Sequence, residues 1–267
     1  MPPTIQDTFK NSPAFSLRDN LFYQNDFQSS RQFEQAYIEV RSKEQRMYSD
    51  ELVAVLPWLD RAHPLWKEWK LRAFTMRRLL SYLERRNARK ILEIGCGNGW
   101  LCHRLADLPN VEVAGIDVNE TELLQASRVF AHAKNVTFIY GDIFRVFPLT
   151  PFDHIILSAS LQYFPDALHL LTGLKLHLSD RGEIHIIDTP LYSPSSASGA
   201  ADRSGEYFAR HGVPEMTRHY HHHTFETIAG LNPTVHYDPE AVLNKLRRKF
   251  FFASPFPWII IHSTRIS

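Results

Sequence analysis

Two kinds of apolar spacing alternate along the chain from residue 89 onward. Short apolar runs predict strands, whereas longer stretches with apolar residues at helical spacing predict helices. The predicted strands of this region are 91–94, 111–116, 136–140, 152–158 and 182–188. The predicted helices between them are 100–108, 120–133 and 165–178. Strands that alternate with helices in this way indicate an α/β fold with a parallel, doubly wound sheet.

Further elements are predicted after this unit. Residues 224–230 and 240–251 have helical spacing, and residues 234–237 and 258–262 have the pattern of strands. Adding these two strands predicts a mostly parallel sheet of seven strands.

The first 88 residues have a different pattern. Residues 1–30 are rich in Asn, Gln, Ser, Asp and Pro, which predicts a loosely ordered arm. Apolar residues then recur at helical spacing over 31–48 and again from Leu65 to Leu83. We therefore expect an arm and helical cap at 1–88, followed by a second domain at 89–267.

Residues 189–212 interrupt the second domain with Pro, Ser, Ala, Gly and Asp and no visible period. The segment follows the fifth predicted strand at its carboxyl end, where α/β proteins bind their ligands. A lid-like insertion near 189–223 is one interpretation, and an ordinary surface loop is the other.

Composition excludes several classes of protein. The chain has 267 residues, of which 30 are Lys or Arg and 29 are Asp or Glu, so its charge does not favour nucleic acid. Two cysteines cannot form a disulfide framework. No apolar run approaches the roughly 20 residues that cross a bilayer, and the start of the chain lacks the pattern of a signal peptide. We expect a soluble, cytoplasmic protein without a membrane partner; a homodimer is left open.

A glycine-rich turn follows the first strand of the second domain. Its sequence is Glu93-Ile94-Gly95-Cys96-Gly97-Asn98-Gly99, followed by Trp100. The dinucleotide fingerprint would need a glycine where Trp100 stands, so that the helix could approach the strand and the pyrophosphate. The pattern therefore argues against a nicotinamide dinucleotide.

This turn resembles motif I of the class I, Rossmann-like S-adenosylmethionine (SAM)-dependent methyltransferases, and the resemblance extends from about residue 89 to 188. It implies SAM as the cofactor, with Gly95 and Gly97 under its methionyl and ribose parts and Glu93 ordering the loop. Asp117 ends the second strand as the family's ribose-binding acid does. Asp142 matches the residue that faces the adenine amino group, with Ile143 on the ring. The predicted cofactor-binding set also contains Cys96, Asn98, Gly99, Val118, Ser158, Ser160, Gln162 and, toward the SAM carboxylate, Arg72.

The fourth strand ends in a stretch that differs from the base-methylating enzymes. It lacks their Asn/Asp-Pro-Pro-aromatic and Pro-Cys motifs, and Ser158–Tyr163 instead resembles the Ser- or Ala-rich stretch of small-molecule methyltransferases. We therefore expect a small-molecule acceptor and no nucleic-acid partner. Ser160 and Gln162 could equally be ordinary residues at the start of a helix.

Four residues are the candidates for catalysis. Asp188 and Tyr192 follow the fifth strand at the edge that carries the cofactor motifs, and His219 and His223 could share one face of a helix. Histidine is the best base near neutral pH for a hydroxyl acceptor. No cysteine or carboxylate cluster accompanies the histidine run, so no metal is predicted. A solvated or capping role for these histidines is the alternative.

The resulting hypothesis is an enzyme that transfers the methyl group of SAM to a small molecule at oxygen or nitrogen. Two alternatives are kept. One is a binding or scaffolding protein with the SAM fold and no catalysis. The other is an NAD(P)-dependent oxidoreductase, against which Trp100 and Glu93 argue.

Overall fold

The computed structural model describes residues 3–145, 151–250 and 252–263. Its strands are β1 (Phe15–Arg18), β2 (Leu21–Gln24), β3 (Lys90–Ile94), β4 (Glu112–Asp117), β5 (Val136–Tyr140), β6 (Phe152–Ser158), β7 (Leu178–Ile187), β8 (Thr234–Tyr237) and β9 (Trp258–His262). Its α-helices are α1 (Ile5–Lys10), α2 (Arg31–Lys43), α3 (Asp50–Val55), α4 (Trp66–Arg85), α5 (Trp100–Leu105), α6 (Glu120–Val129), α7 (Ala167–Leu174), α8 (Pro194–Arg210), α9 (Phe225–Ile228) and α10 (Val242–Phe250).

All of these strands join one sheet, in the order β1-β2-β5-β4-β3-β6-β7-β9-β8. The strands from β2 to β7 are parallel, and β1, β8 and β9 pair in antiparallel fashion at the two edges. The predicted mostly parallel, doubly wound α/β fold is confirmed. The sheet has nine strands among the described residues instead of the seven expected.

The two additional strands come from the segment predicted to be a loosely ordered arm. Asp19 and Asn20 have φ angles of 49° and 60° and turn the chain between β1 and β2. All four residues of β2 are buried, and Leu21 pairs with Phe138 of β5. The polar composition of residues 1–30 did not indicate this hairpin, because strands of four residues need only a few apolar side chains.

Residues 189–212 are the second difference, because α8 occupies most of this segment. Ser193 and Ser196 form a capping box, and Pro194 stands at the first helical position, where its missing N–H costs nothing. Small residues such as Ala200 form much of the buried face of α8, so no strong apolar period is visible in the sequence. The His219–His223 run, in contrast, is not helical: a 3-10 helix over Pro214–His219 ends where the run begins.

Other elements have different limits from those predicted. The helix predicted at 31–48 ends at Lys43, and the strand predicted at 182–188 begins at Leu178. The helix predicted at 240–251 covers Val242–Phe250, and residue 251 lies outside the described residues.

The core has two layers, one on each face of the sheet. Successive residues of β3 alternate between them: Ile91 packs with α4, α5 and α6, whereas Leu92 and Ile94 pack with α1 and α7. Because helices cover both faces of the sheet, a ligand can reach it where the strands end, at their carboxyl ends. Within the part of the chain that the structure describes, no helix has the length and apolar character needed to cross a membrane.

Candidate functional site

The glycine-rich turn is held in a conformation that only glycine adopts easily. Gly95, Gly97 and Gly99 have φ angles of 72°, 50° and 73°. A Cβ on Gly95 would lie 2.6 Å from Cβ of Ser160, and one on Gly99 would lie 2.6 Å from the Phe138 ring. The turn therefore exposes bare backbone on one side and packs tightly on the other.

Asp117 ties this turn to the end of the next strand. Its Oδ2 accepts a hydrogen bond of 2.7 Å from the backbone N–H of Gly97, and its Oδ1 accepts one of 2.8 Å from Asn119. Burial and the nearby Glu122 raise the pKa of Asp117 to about 6. Each oxygen retains acceptor capacity, so the carboxylate has room for the two hydroxyls of a ribose.

Glu93 lies beneath the same turn and is almost completely buried. The Cys102 thiol donates to its Oε2 across 3.0 Å. Burial raises the pKa of Glu93 to about 8 and that of the Cys96 thiol to about 11. A carboxyl that is so poorly solvated favours a ligand that brings positive charge or hydrogen-bond donors.

A small cavity of about 90 Å³ opens beside Asp117 at the carboxyl ends of β4 and β5. The structure brings six residues of the predicted cofactor set together around it, which are Gly95, Asp117, Val118, Asp142, Ile143 and Ser160. The Asp142 backbone N–H donates across 2.9 Å to Oε1 of Gln24, a buried residue of β2. The added hairpin thus holds the loop predicted to face adenine.

A larger cavity of about 660 Å³ adjoins the small one, because both include Gly95 and Ala159 in their walls. The predicted residues that line it are Arg72, Glu93, Gly95, Cys96, Gly97, Asn98, Ser158, Gln162, Asp188 and Tyr192. Among the described residues, three of the predicted set line neither cavity; they are Gly99, His219 and His223.

Asp188 directly follows β7, has a φ of 50° and is half-buried in the wall of the large cavity. Its Oδ1 accepts a hydrogen bond of 2.8 Å from Thr75, and burial raises its pKa. Ser160 and Gln162 hold the backbone of the site: Ser160 donates to the carbonyl of Ile94 at 2.7 Å, and Gln162 to that of Ala159 at 2.6 Å.

The histidine run contributes to the walls through packing. His219 packs edge-to-face on Phe33, with centroids 5.0 Å apart, and Nε2 of the buried His223 lies 2.9 Å from the carbonyl oxygen of Phe164. His222 Nε2 lies 2.8 Å from the Ser204 hydroxyl on α8. None of His219, His221, His222 and His223 is among the described residues that line either cavity, and the catalytic role predicted for His219 and His223 stays a prediction.

Sequence reasoning missed the residues that close the large cavity from the opposite side. They come from α2, from α8 and from the 3-10 helix after it, and they are Tyr37, Arg41, Ala200, Arg203, Ser204, Tyr207, Phe208, Met216 and Tyr220. The five α8 members have helical spacing, but two of them, Arg203 and Ser204, are polar, so the apolar pattern of the sequence did not indicate this face.

Another polar cluster lies nearer the middle of the sheet. Ring nitrogens of His154 and His185 and a carboxylate oxygen of Glu183, which are atom types that can bind a metal, lie within 4.8 Å of one another. The Trp258 indole N–H donates to Nδ1 of His185 at 3.1 Å. A neutral His185 must then carry its proton on Nε2, which lies 2.9 Å from Nδ1 of His154. With this proton on Nε2, the nitrogen has no lone pair to offer a metal ion. The cluster therefore fits a hydrogen-bonded network better than a metal site.

Part of the chain is similar in sequence to known methyltransferases. A family model described as a methyltransferase domain matches residues 86–207. The malonyl-acyl-carrier-protein O-methyltransferase of Bacillus cytotoxicus is 34% identical over 111 residues, which are 40% of this chain and 39% of that one. The 27-O-demethylrifamycin SV methyltransferase of Amycolatopsis mediterranei is 31% identical over 134 residues, 48% of this chain and 49% of its own. The chain thus spans between two fifths and one half of the length of these curated relatives.

The fold is shared over a longer stretch. The plantazolicin methyltransferase BpumL, in complex with a triazolic desmethylPZN analogue and S-adenosylhomocysteine, superposes with a TM-score of 0.54 at 16% identity. The superposition covers 86% of this chain and 95% of that one. The superposition shows that the chain has the fold of this structure, and residues 86–207 of the chain match the methyltransferase domain model.

Proposed function

We propose that this protein transfers the methyl group of SAM to a small-molecule acceptor at oxygen or nitrogen. The observation that carries the proposal is the junction at Asp117. This carboxylate lines the small cavity and accepts a hydrogen bond from the backbone N–H of Gly97, which lines the large one. The names of the two curated relatives, both methyltransferases of small or carrier-bound molecules, support the same reaction class.

The residues divide the proposed work between the two cavities. In the small one, Asp117 accepts from the ribose hydroxyls and Asp142 faces the adenine, with Val118 and Ile143 against its faces. In the large one, Glu93 and the backbone of Gly95 and Gly97 hold the methionyl part, and Arg72 pairs with its carboxylate. Bound SAM supplies an activated methyl group on a sulfonium leaving group.

Positioning is the main contribution expected of the chain. Methyl transfer is an in-line displacement that depends on the acceptor being held against the methyl group. Asp188 and Tyr192 lie at the edge of the large cavity, where we propose that they contact the acceptor. The raised pKa of Tyr192, caused by burial, keeps its hydroxyl protonated and suits it to donate a hydrogen bond.

The sequence bears on the class of acceptor and on the place where the protein acts. The near-equal numbers of basic and acidic residues and the absence of base-methylation motifs support a small molecule over nucleic acid. We propose that it works in the cytoplasm, as the sequence predicts.

Thermal unfolding with candidate ligands tests the proposal directly. SAM and S-adenosylhomocysteine should raise the melting temperature, because a ligand that binds only the folded state stabilises it. NAD and NADP should leave the melting temperature unchanged, since Trp100 occupies the position of the third fingerprint glycine. A shift with NADH and none with SAM would reverse the proposal in favour of an oxidoreductase.

A further inference from the structure

One face of α8 forms the wall of the large cavity opposite the glycine-rich turn. Ala200, Arg203, Ser204, Tyr207 and Phe208 all line the cavity, and their spacing places them along one side of a helix. Because α8 follows β7 at the carboxyl edge of the sheet, this face lies where an acceptor would enter. We name it the acceptor wall.

The two aromatic residues of the acceptor wall belong to a larger aromatic surface of the cavity. Phe208 packs against both Tyr207 and Tyr220, with ring centroids 5.6 Å apart in each pair. Tyr220 in turn packs edge-to-face on Tyr163 at 5.7 Å. The buried side chain of Met216 completes this surface. A surface of this kind binds a flat or apolar body through its rings.

Three of the four arginines that line the cavity are already paired with carboxylates. Arg41 lies 3.5 Å from Glu122, and Arg46 and Arg72 both bind Glu68. Each of these three guanidinium groups therefore has a carboxylate partner within the protein before any ligand binds.

Arg203 differs from these three. Over the described ranges, the structure records no hydrogen bond and no ion pair for its guanidinium. The side chain turns back along the helix, so that Nη1 lies 3.4 Å from the position that a Cβ on Gly199 would take. Its positive charge lowers the pKa of Tyr192, which burial raises, and lowers that of His222, which burial also lowers. The cation therefore stands at the rim of the acceptor wall with its donors directed to solvent or ligand.

We infer that the acceptor carries an anionic group, a carboxylate or a phosphate, that binds Arg203 while an aromatic or apolar body lies on the acceptor wall. Guanidinium binds both anions through two parallel N–H donors, which gives direction as well as charge. This inference rests on the proposed function, since it names the class of molecule that the same site would methylate.

Calorimetric titration of the protein saturated with S-adenosylhomocysteine tests the inference with four naphthalene probes. They are 1-naphthoate, 1-naphthyl phosphate, 1-naphthylmethanol and 1-naphthylmethylammonium. At least one anion should bind about fivefold more tightly than the alcohol, as a solvent-accessible charge pair allows, and the ammonium should bind least. The two anionic arms distinguish a carboxylate acceptor from a phosphate one.

The matched variants are Arg203→Gln and Arg210→Gln. Both change an arginine of α8, but Arg210 does not line the cavity as described. Arg203→Gln should abolish the preference for anions and leave the affinity for S-adenosylhomocysteine unchanged, whereas Arg210→Gln should alter neither. Equal binding of alcohol and anions, no binding of any probe, or a preference that survives Arg203→Gln would overturn the inference. Failure to bind S-adenosylhomocysteine would instead overturn the proposed function.

Discussion

Two groups of buried or half-buried ionisable residues lie on the same sheet and differ in how their polar atoms are satisfied. Near the middle of β6 and β7, Glu183 accepts from the Tyr82 hydroxyl at 2.9 Å and from Arg86 at 3.0 Å. His154, His185 and Trp258 complete this network with one another. At the carboxyl ends of the strands, Glu93 and Asp117 lie beside open cavities and have no cation bonded to them among the described residues.

The pKa values follow this difference. Burial lowers the pKa of His154 and of His185, so both imidazoles stay neutral and can share hydrogen bonds. Burial raises the pKa of Glu93 to about 8 and that of Asp117 to about 6, which leaves these carboxyls prepared for a ligand. Burial of an ionisable group therefore indicates a binding site only where the protein itself does not supply the charged partners.

The largest effect is expected from Asp117→Ala. Loss of two hydrogen bonds to a charged group, at roughly 1.5–3 kcal/mol each, should weaken SAM binding at least about a hundredfold while the fold persists. Calorimetric titration measures this. Unchanged affinity would remove Asp117 from the site.

Asp153→Ala is the matched control for this experiment. Asp153 also accepts from two backbone N–H groups, those of Arg89 and Lys90 at 2.9 and 3.0 Å, but at the opposite ends of the strands. It should lower stability without changing the affinity for SAM. If both variants weakened binding equally, the effect would be general loosening of the sheet.

Glu183→Ala should have the converse effect. It deprives buried donors of their acceptor, and an unsatisfied buried group costs roughly 1–3 kcal/mol, so the free energy of unfolding should fall by about 2 kcal/mol. Denaturant unfolding measures the loss, with Glu183→Gln as the milder variant that keeps an acceptor oxygen. A large change in SAM affinity at unchanged stability would contradict the structural role of this network.

The smallest effect is a proton released on binding. Because the pKa of Glu93 is raised to about 8, the carboxyl is mostly protonated at pH 7 in the free protein. A ligand that brings an ammonium group favours the ionised form, so SAM should displace a proton and bind more tightly as the pH rises from 7 to 9. Titration in buffers of different ionisation enthalpy detects the proton, and Glu93→Gln should remove it.

Stability should change with pH in a direction fixed by the same shift. The folded pKa of Glu93 exceeds its ordinary value, so the folded state binds more protons. This group therefore favours unfolding increasingly as the pH rises from about 4.5 to about 8, and has no further effect above that. An increase in stability over this range that Glu93→Gln abolished would show that the pKa is not raised.

The parts of the molecule that the sequence predicted well depend on local patterns. The strand ends at Gly95, Asp117 and Asp142 follow short apolar runs, and each run specifies its own strand. The acceptor wall and the β1–β2 hairpin depend on contacts between distant segments instead. Nothing near Arg203 or Gln24 in the sequence shows which cavity or loop each will reach, because tertiary packing decides it.

The hairpin also determines the order in which the fold can be completed. The backbone N–H of Asp142 donates to Gln24, which precedes it by 118 positions. A chain that emerges from the ribosome makes β2 first, yet β2 has no sheet to join until β5 exists. The loop predicted to face adenine therefore stays unfinished until β2 pairs with β5, and such long-range pairing slows folding. A strand that is made early is in this sense placed late.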